Sequence, residues 1–202
     1  MKKGFVFYFC LICFFGFTQE NKVLKLTYGK LFEYSKDSSN VKNVDAYVSA
    51  QNFLEQIKTS VNNVEYHLTI NDSLAKFEYI DILQDENFKK LAITFGGGDN
   101  HYFDLKENNV YRLNAEKNKL IQYDKDSVNW FITNESKEIQ GFLCLRAYGK
   151  TKIFTRKEKK EVEYDVWFCP QFGNKCGPAQ FFGLPGLIFE ASYKNKSGLR
   201  FY

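Results

Sequence analysis

With 202 residues, 44% of them hydrophobic and 18% aromatic, the chain has the length of one domain and the apolar content to fill its core, which excludes a disordered chain. The 28 Lys and Arg stand against 24 Asp and Glu; losing Lys2 and Lys3 with a leader would leave 26 against 24, a balance too even for a nucleic-acid binder. The excess of aromatics, 21 Phe and 13 Tyr, favours strands over helices.

Lys2 and Lys3 precede an uncharged apolar run from Phe5 to Phe17, and Gly16 and Thr18 are small residues at the −3 and −1 positions of a cut after Thr18. Basic, apolar, then small is the order of a secretory signal peptide. Residues 1–18 therefore read as a leader and 19–202 as a single exported β-rich domain, with a retained membrane anchor as the alternative. The apolar run is short for a span, and no later segment is long and apolar enough, so no transmembrane span is expected in the mature chain. Cys10 and Cys13 fall in the leader, and neither follows a small residue as an acylated cysteine would.

Leu24, Leu26 and Tyr28 alternate with Lys25 and Thr27, and the pattern resumes at Phe32 and Tyr34, which predicts a half-buried strand. A polar loop, Lys36 to Asn43, follows. From Val44 to about Ser60 the residues Tyr47, Ala50, Phe53, Leu54 and Ile57 recur at three- and four-residue spacing, which predicts one helix laid over a sheet. Strand patterns come next at 64–70 and 76–82 around Asn71-Asp72-Ser73, and at 91–95 and 101–105 around Gly96-Gly97-Gly98. Short strands are predicted at 110–113, 120–123 and 128–132, then at 139–148 and 152–155, and the alternation Val162, Tyr164, Val166, Phe168 closes the series. The expected class is mainly β (α+β): a curved antiparallel sheet or open half-barrel with one covering helix.

Candidate chemistry is sparse. A phosphate cradle at Gly96 to Gly98 needs a helix N-terminus behind it, so the glycines read as a hairpin turn. The mixed-sign run 155–161 reads as a solvated hairpin tip. His67 alternates with the apolar face of its strand and should point outward. After the leader no nucleophile elbow, CxxC or HxxxH spacing occurs, so no catalytic residue, cofactor or metal site is assigned. Three cysteines remain after the leader. Cys169 and Cys176 bracket a short loop with Gly173-Asn174 placed to turn, which predicts a disulfide, with free thiols as the alternative; Cys144 reads as a buried thiol.

The stretch Phe181 to Phe189, FFGLPGLIF, wraps a turn dipeptide in apolar side chains. Pro185 fixes its own φ, and Gly186 can take the positive φ of a type II turn, so the chain should bend at a corner. Two readings stand: an inward corner that plugs the core, or an exposed patch, with Phe181, Phe182 and Phe189 as contacts, covered by a lipid or a partner.

Gly183, Leu184, Pro185, Gly186, Leu187 and Ile188 spell the hexapeptide of the GLPGLI family of exported gram-negative proteins, and the upstream order is similar too: Trp130, then Lys137, Ile139, Gly141, Phe142, Cys144 and Ala147, then Trp167 and Gly177-Pro178. The chain resembles that family from Val128 to Ala191. Phe142 stands where the family usually has Tyr, the pair Cys169 and Cys176 is not a family feature, and similar proteins usually continue beyond Tyr202, so C-terminal shortening is one expectation. The resemblance implies a periplasmic or outer-membrane-associated protein and supplies no catalytic residues. Two functions follow: a non-enzymatic envelope protein that binds an apolar or lipidated ligand, or an accessory protein that docks an outer-membrane transporter or other envelope protein through the Phe-rich corner.

Overall fold

The computed structural model describes residues 23–34, 43–82, 85–114, 118–123, 128–154, 159–193 and 199–202. The expected leader, most of the Lys36–Asn43 loop and much of the charged run lie outside these residues. Eleven strands form one antiparallel sheet: β1 (Leu24–Phe32), β2 (Glu65–Ile70), β3 (Leu74–Ile80), β4 (Asn100–Asp104), β5 (Asn109–Asn114), β6 (Lys119–Tyr123), β7 (Val128–Ile139), β8 (Phe142–Phe154), β9 (Lys159–Cys169), β10 (Leu187–Tyr193) and β11 (Leu199–Phe201). Their order is β6-β5-β4-β3-β2-β1-β11-β10-β9-β8-β7, two meanders joined where β1 meets β11.

The order dictates curvature. Strands β6 and β7 are the two edges of the sheet, yet Tyr123 and Val128 are only five residues apart in the chain. A flat sheet of this many strands would hold its edges about 48 Å apart, whereas five residues reach roughly 18 Å. The sheet must curl until its edges come close, without bonding to each other, and the result is an open barrel.

Alternation places the core inside the curl. On β2, Tyr66, Leu68 and Ile70 are buried while Glu65, His67 and Thr69 are not, so His67 points away from the core as its phase predicts. On β9, Val162, Tyr164, Val166 and Phe168 are buried. Helix α1 (Val44–Asn62) starts at Asn43, whose side chain accepts from the Ala46 N–H at 3.0 Å. It buries only Ile57, Ser60 and Val61, and so packs its last turns against β1 while its first turns stay exposed.

Two expectations are corrected. Residues 91–95 are helical: α2 (Glu86–Leu91), capped by Asp85, runs into a π-helical turn, Ala92–Gly96. The apolar alternation at Leu91, Ile93 and Phe95 imitates a strand, but Ala92 and Gly96, four apart, are the residues that face the core. The glycine run therefore ends a helix, and Gly97 (φ +83°) donates its N–H to the Ile93 carbonyl at 3.0 Å. Likewise 139–148 is not one strand. Gln140 and Gly141, both at positive φ, make a tight turn between β7 and β8, with Ile139 opposite Phe142.

Candidate functional site

The FFGLPGLIF stretch is an interior plug. Phe181, Phe182, Leu184, Leu187, Ile188 and Phe189 are all buried, Phe189 being the most exposed at 7%. The turn is not the type II expected. Gly186 donates its N–H to the Leu184 carbonyl at 2.8 Å, closing a γ-turn around Pro185, whose fixed φ suits it. The positive φ belongs to Gly183, at +91°. Gly186 is required for a different reason: a Cβ there would lie 2.5 Å from the Cys169 carbonyl oxygen and 2.9 Å from the Cα of Pro170.

The plug is tied to the wall on several sides. Tyr28 Oη donates to the Ile188 carbonyl at 2.6 Å, and the Ile188 N–H donates to the Cys176 carbonyl at 3.0 Å. Phe182 touches both edges of the sheet: its carbonyl accepts from Trp130 Nε1 of β7 at 2.9 Å, and its ring meets that of Tyr123 of β6 at 6.0 Å. Because these rings are enclosed, the corner offers no apolar surface for a docking partner, and Phe181 and Phe182 contact the core instead.

All three described cysteines, Cys144, Cys169 and Cys176, are free and buried, so the expected Cys169–Cys176 bridge is not formed. The chain between them does not fold back as a hairpin. Cys169 pairs with Leu187 on one side of β10, and the Cys176 carbonyl takes the Ile188 N–H, so the loop encloses the start of β10. The neighbour of Cys169 is Cys144, one step beyond the Leu145–Phe168 pair of the β8–β9 ladder. Burial, then the adjacent Cys169, pushes the Cys144 thiol up to about 12, and burial does the same for Cys176. These are inert thiols at neutral pH.

Beside the plug lies a slot of about 530 Å³ lined by Leu24, Leu26, Ile139, Phe142, Phe172 and Phe189. The β1–β11 ladder runs from Phe32 to Gly29, where Gly29 and Tyr202 exchange both backbone hydrogen bonds, and among the described residues nothing continues it along Leu24–Tyr28. By the period of two, the N–H and C=O groups of Thr27 and Lys25 point the same way as those of Gly29, into the slot. Of the three phenylalanines singled out in the sequence, only Phe189 reaches this space. Its partners Phe142 and Phe172 meet it ring to ring at 5.9 and 5.7 Å.

On the outer side, two residues of the family-like pattern, Lys137 and Trp167, converge with Glu190 and Arg200. Lys137 Nζ donates to Glu190 Oε2 at 2.7 Å and lies 4.4 Å from the Trp167 ring centre, and Arg200 donates to the same carboxylate at 2.6 Å. Burial pushes the Glu190 pKa up, but the hydrogen bonds from Lys137 and Arg200 outweigh it and hold the carboxyl below its usual range. This cluster staples β7, β10 and β11 together.

Sequence reasoning missed Lys30 and His101, both buried inside the curl. The signal was present. Lys30 is in phase with Leu24, Leu26 and Tyr28, and His101 with Phe103, so alternation alone assigns both to the core face.

With this geometry in place, residues 149–190 match the model of a family described as "Protein of unknown function (Porph_ging)", a stretch that contains the GLPGLI hexapeptide. No curated protein matches the chain. Among solved structures, one described as "Structure of PNGF-II in C2 space group" is similar at 14% identity with a TM-score of 0.51, covering 89% of this chain and 26% of that one. A second, "Structure of PNGF-II in P21 space group", is similar at 13% identity with a TM-score of 0.49, covering 89% and 27%. The chain thus spans about a quarter of the length of these structures, and the likeness to the first shows a shared fold.

Proposed function

We propose that the protein is an exported, non-catalytic protein of a gram-negative cell envelope that holds an apolar or lipidated ligand in the slot between β1 and β10. The observation that carries this reading is the 530 Å³ slot itself, floored by Phe142, Phe172 and Phe189 and walled by Leu24 and Leu26. A space of that size suits a ligand site, and apolar walls reward burial of an acyl chain. The leader-like order of residues 1–18 and the GLPGLI-like pattern support export.

The backbone edge of β1 along Leu24–Tyr28, unpaired among the described residues, favours a second reading, in which a polypeptide segment from another envelope protein adds there as a strand and seats alternate side chains in the slot. Native mass spectrometry of protein purified from the envelope tests both. The expected result is a retained lipid or lipidated mass that is lost in Phe172→Glu, which puts a charge in the slot. A retained polypeptide supports the strand reading, and a bare chain that also fails to take up a fluorescent fatty acid refutes both.

A further inference from the structure

At the other end of β1, on the far side of the plug, a separate cavity of about 250 Å³ is built mainly from charged, hydroxyl and aromatic side chains. Lys30 lies at its base, only 5% exposed. Its ammonium donates to the Gly96 carbonyl and sits 4.3 Å from the ring centre of Phe201 and 5.6 Å from that of Tyr66. Among the described residues no carboxylate pairs with it, and burial pulls its pKa down to about 8. The one described carboxylate lining the cavity, Asp99, is engaged by Arg112 at 3.4 Å. His101 is neutral, because burial lowers its pKa to about 4 despite the hydrogen bond to the Asp99 carbonyl, with Arg112 and Lys30 adding to the lowering.

Two cations against one carboxylate leave the cavity positive. A buried ammonium answered only by ring faces and one carbonyl is under-compensated, since aromatic quadrupoles return less than a counter-ion does. An ammonium carries three N–H bonds, one of which goes to Gly96, and the Gln180 amide, which donates to Tyr193, has a second N–H. The Tyr66 and Tyr123 hydroxyls are already spent as donors, Tyr66 to Gly97 at 2.7 Å and Tyr123 to His101 at 3.3 Å. The wall also holds Ala179, at φ +51° in a turn.

We propose that this cavity binds a small molecule through a carboxylate or phosphate group, with Lys30 as its counter-ion, Gln180 as a hydrogen-bond donor and Arg112 at the mouth. The volume equals roughly eight water molecules, which sets the ligand at the size of a small organic acid or phosphate ester. The site is independent of the slot, so either reading can fail alone.

The test is calorimetric titration and thermal shift of the full chain at pH 7 with inorganic phosphate and with succinate, against chloride at matched ionic strength. Saturable binding of at least one probe is expected. Lys30→Met, which keeps the buried stem, should abolish it while melting at or above the ligand-free native temperature, because a buried unpaired charge is removed. Affinity should fall roughly tenfold from pH 7 to pH 9 as Lys30 loses its proton. Should Lys30→Met not fold, Arg112→Gln is expected to weaken binding several-fold without unfolding the chain. Binding by Lys30→Met equal to native, an affinity flat across that pH range, or no saturable response to either probe overturns the proposal.

Discussion

At the scale of single residues, Gly186 is where a methyl group has nowhere to go. Its obstacles are backbone atoms of Cys169 and Pro170, which cannot rotate aside as a side chain would. Gly186→Ala is therefore expected to cost about 3 kcal/mol and lower the melting temperature by roughly 10 °C. Pro185 is exposed and only centres the γ-turn, so Pro185→Ala should cost about 1 kcal/mol or less. Equal losses in the two variants, measured by thermal melting, would show that the turn and not the close approach sets the requirement. His101 makes a second prediction. Its folded pKa of about 4 lies below the unfolded value, so the unfolded chain takes up a proton first as pH falls through 6.5 towards 4. Stability that is complete above pH 6.5 drains away across that window, by about 3 kcal/mol at its foot. Melting curves at pH 7 and 4.5 should show a smaller drop for His101→Gln than for the native chain; equal drops would place the sensitivity elsewhere.

At the scale of elements, Phe182 substitutes for the ladder that β6 and β7 do not make. Trp130→Phe keeps a ring against Gly149 but removes the indole donor, leaving the Phe182 carbonyl short of a partner, at a cost of about 1 to 2 kcal/mol. Hydrogen exchange should quicken together in Lys119–Tyr123 and Val128–Ile132 while Glu65–Ile80 stays protected. Faster exchange in β7 alone would show that the two edges are not coupled through the plug. The elements also show what a sequence discloses. Alternation made β1, β2 and β9 readable, since each buries one face and wets the other. It misled at 91–95, where exposed Ile93 and Phe95 mimic a buried face, and the Asp85 cap that settles the matter lies six residues earlier. The turn at Gln140-Gly141 was hidden because Gln rarely adopts positive φ.

At the scale of the whole molecule, the plug divides the interior, with the slot on one side and the charged cavity on the other. Only the plug was announced by its letters. The slot brings Leu24 and Leu26 together with Phe142, Phe172 and Phe189, residues remote in sequence, and the cavity gathers residues from most of the strands. The pairing of Cys144 with Cys169 is likewise a matter of register, which local spacing does not encode. The seam between β1 and β11 has a temporal consequence. Lys30 finds its neighbour only when Phe201, 171 residues later, has left the ribosome, so β1 waits with one edge bare while the strands between them are made. A sheet whose seam joins strands so far apart in the chain cannot mature piecemeal.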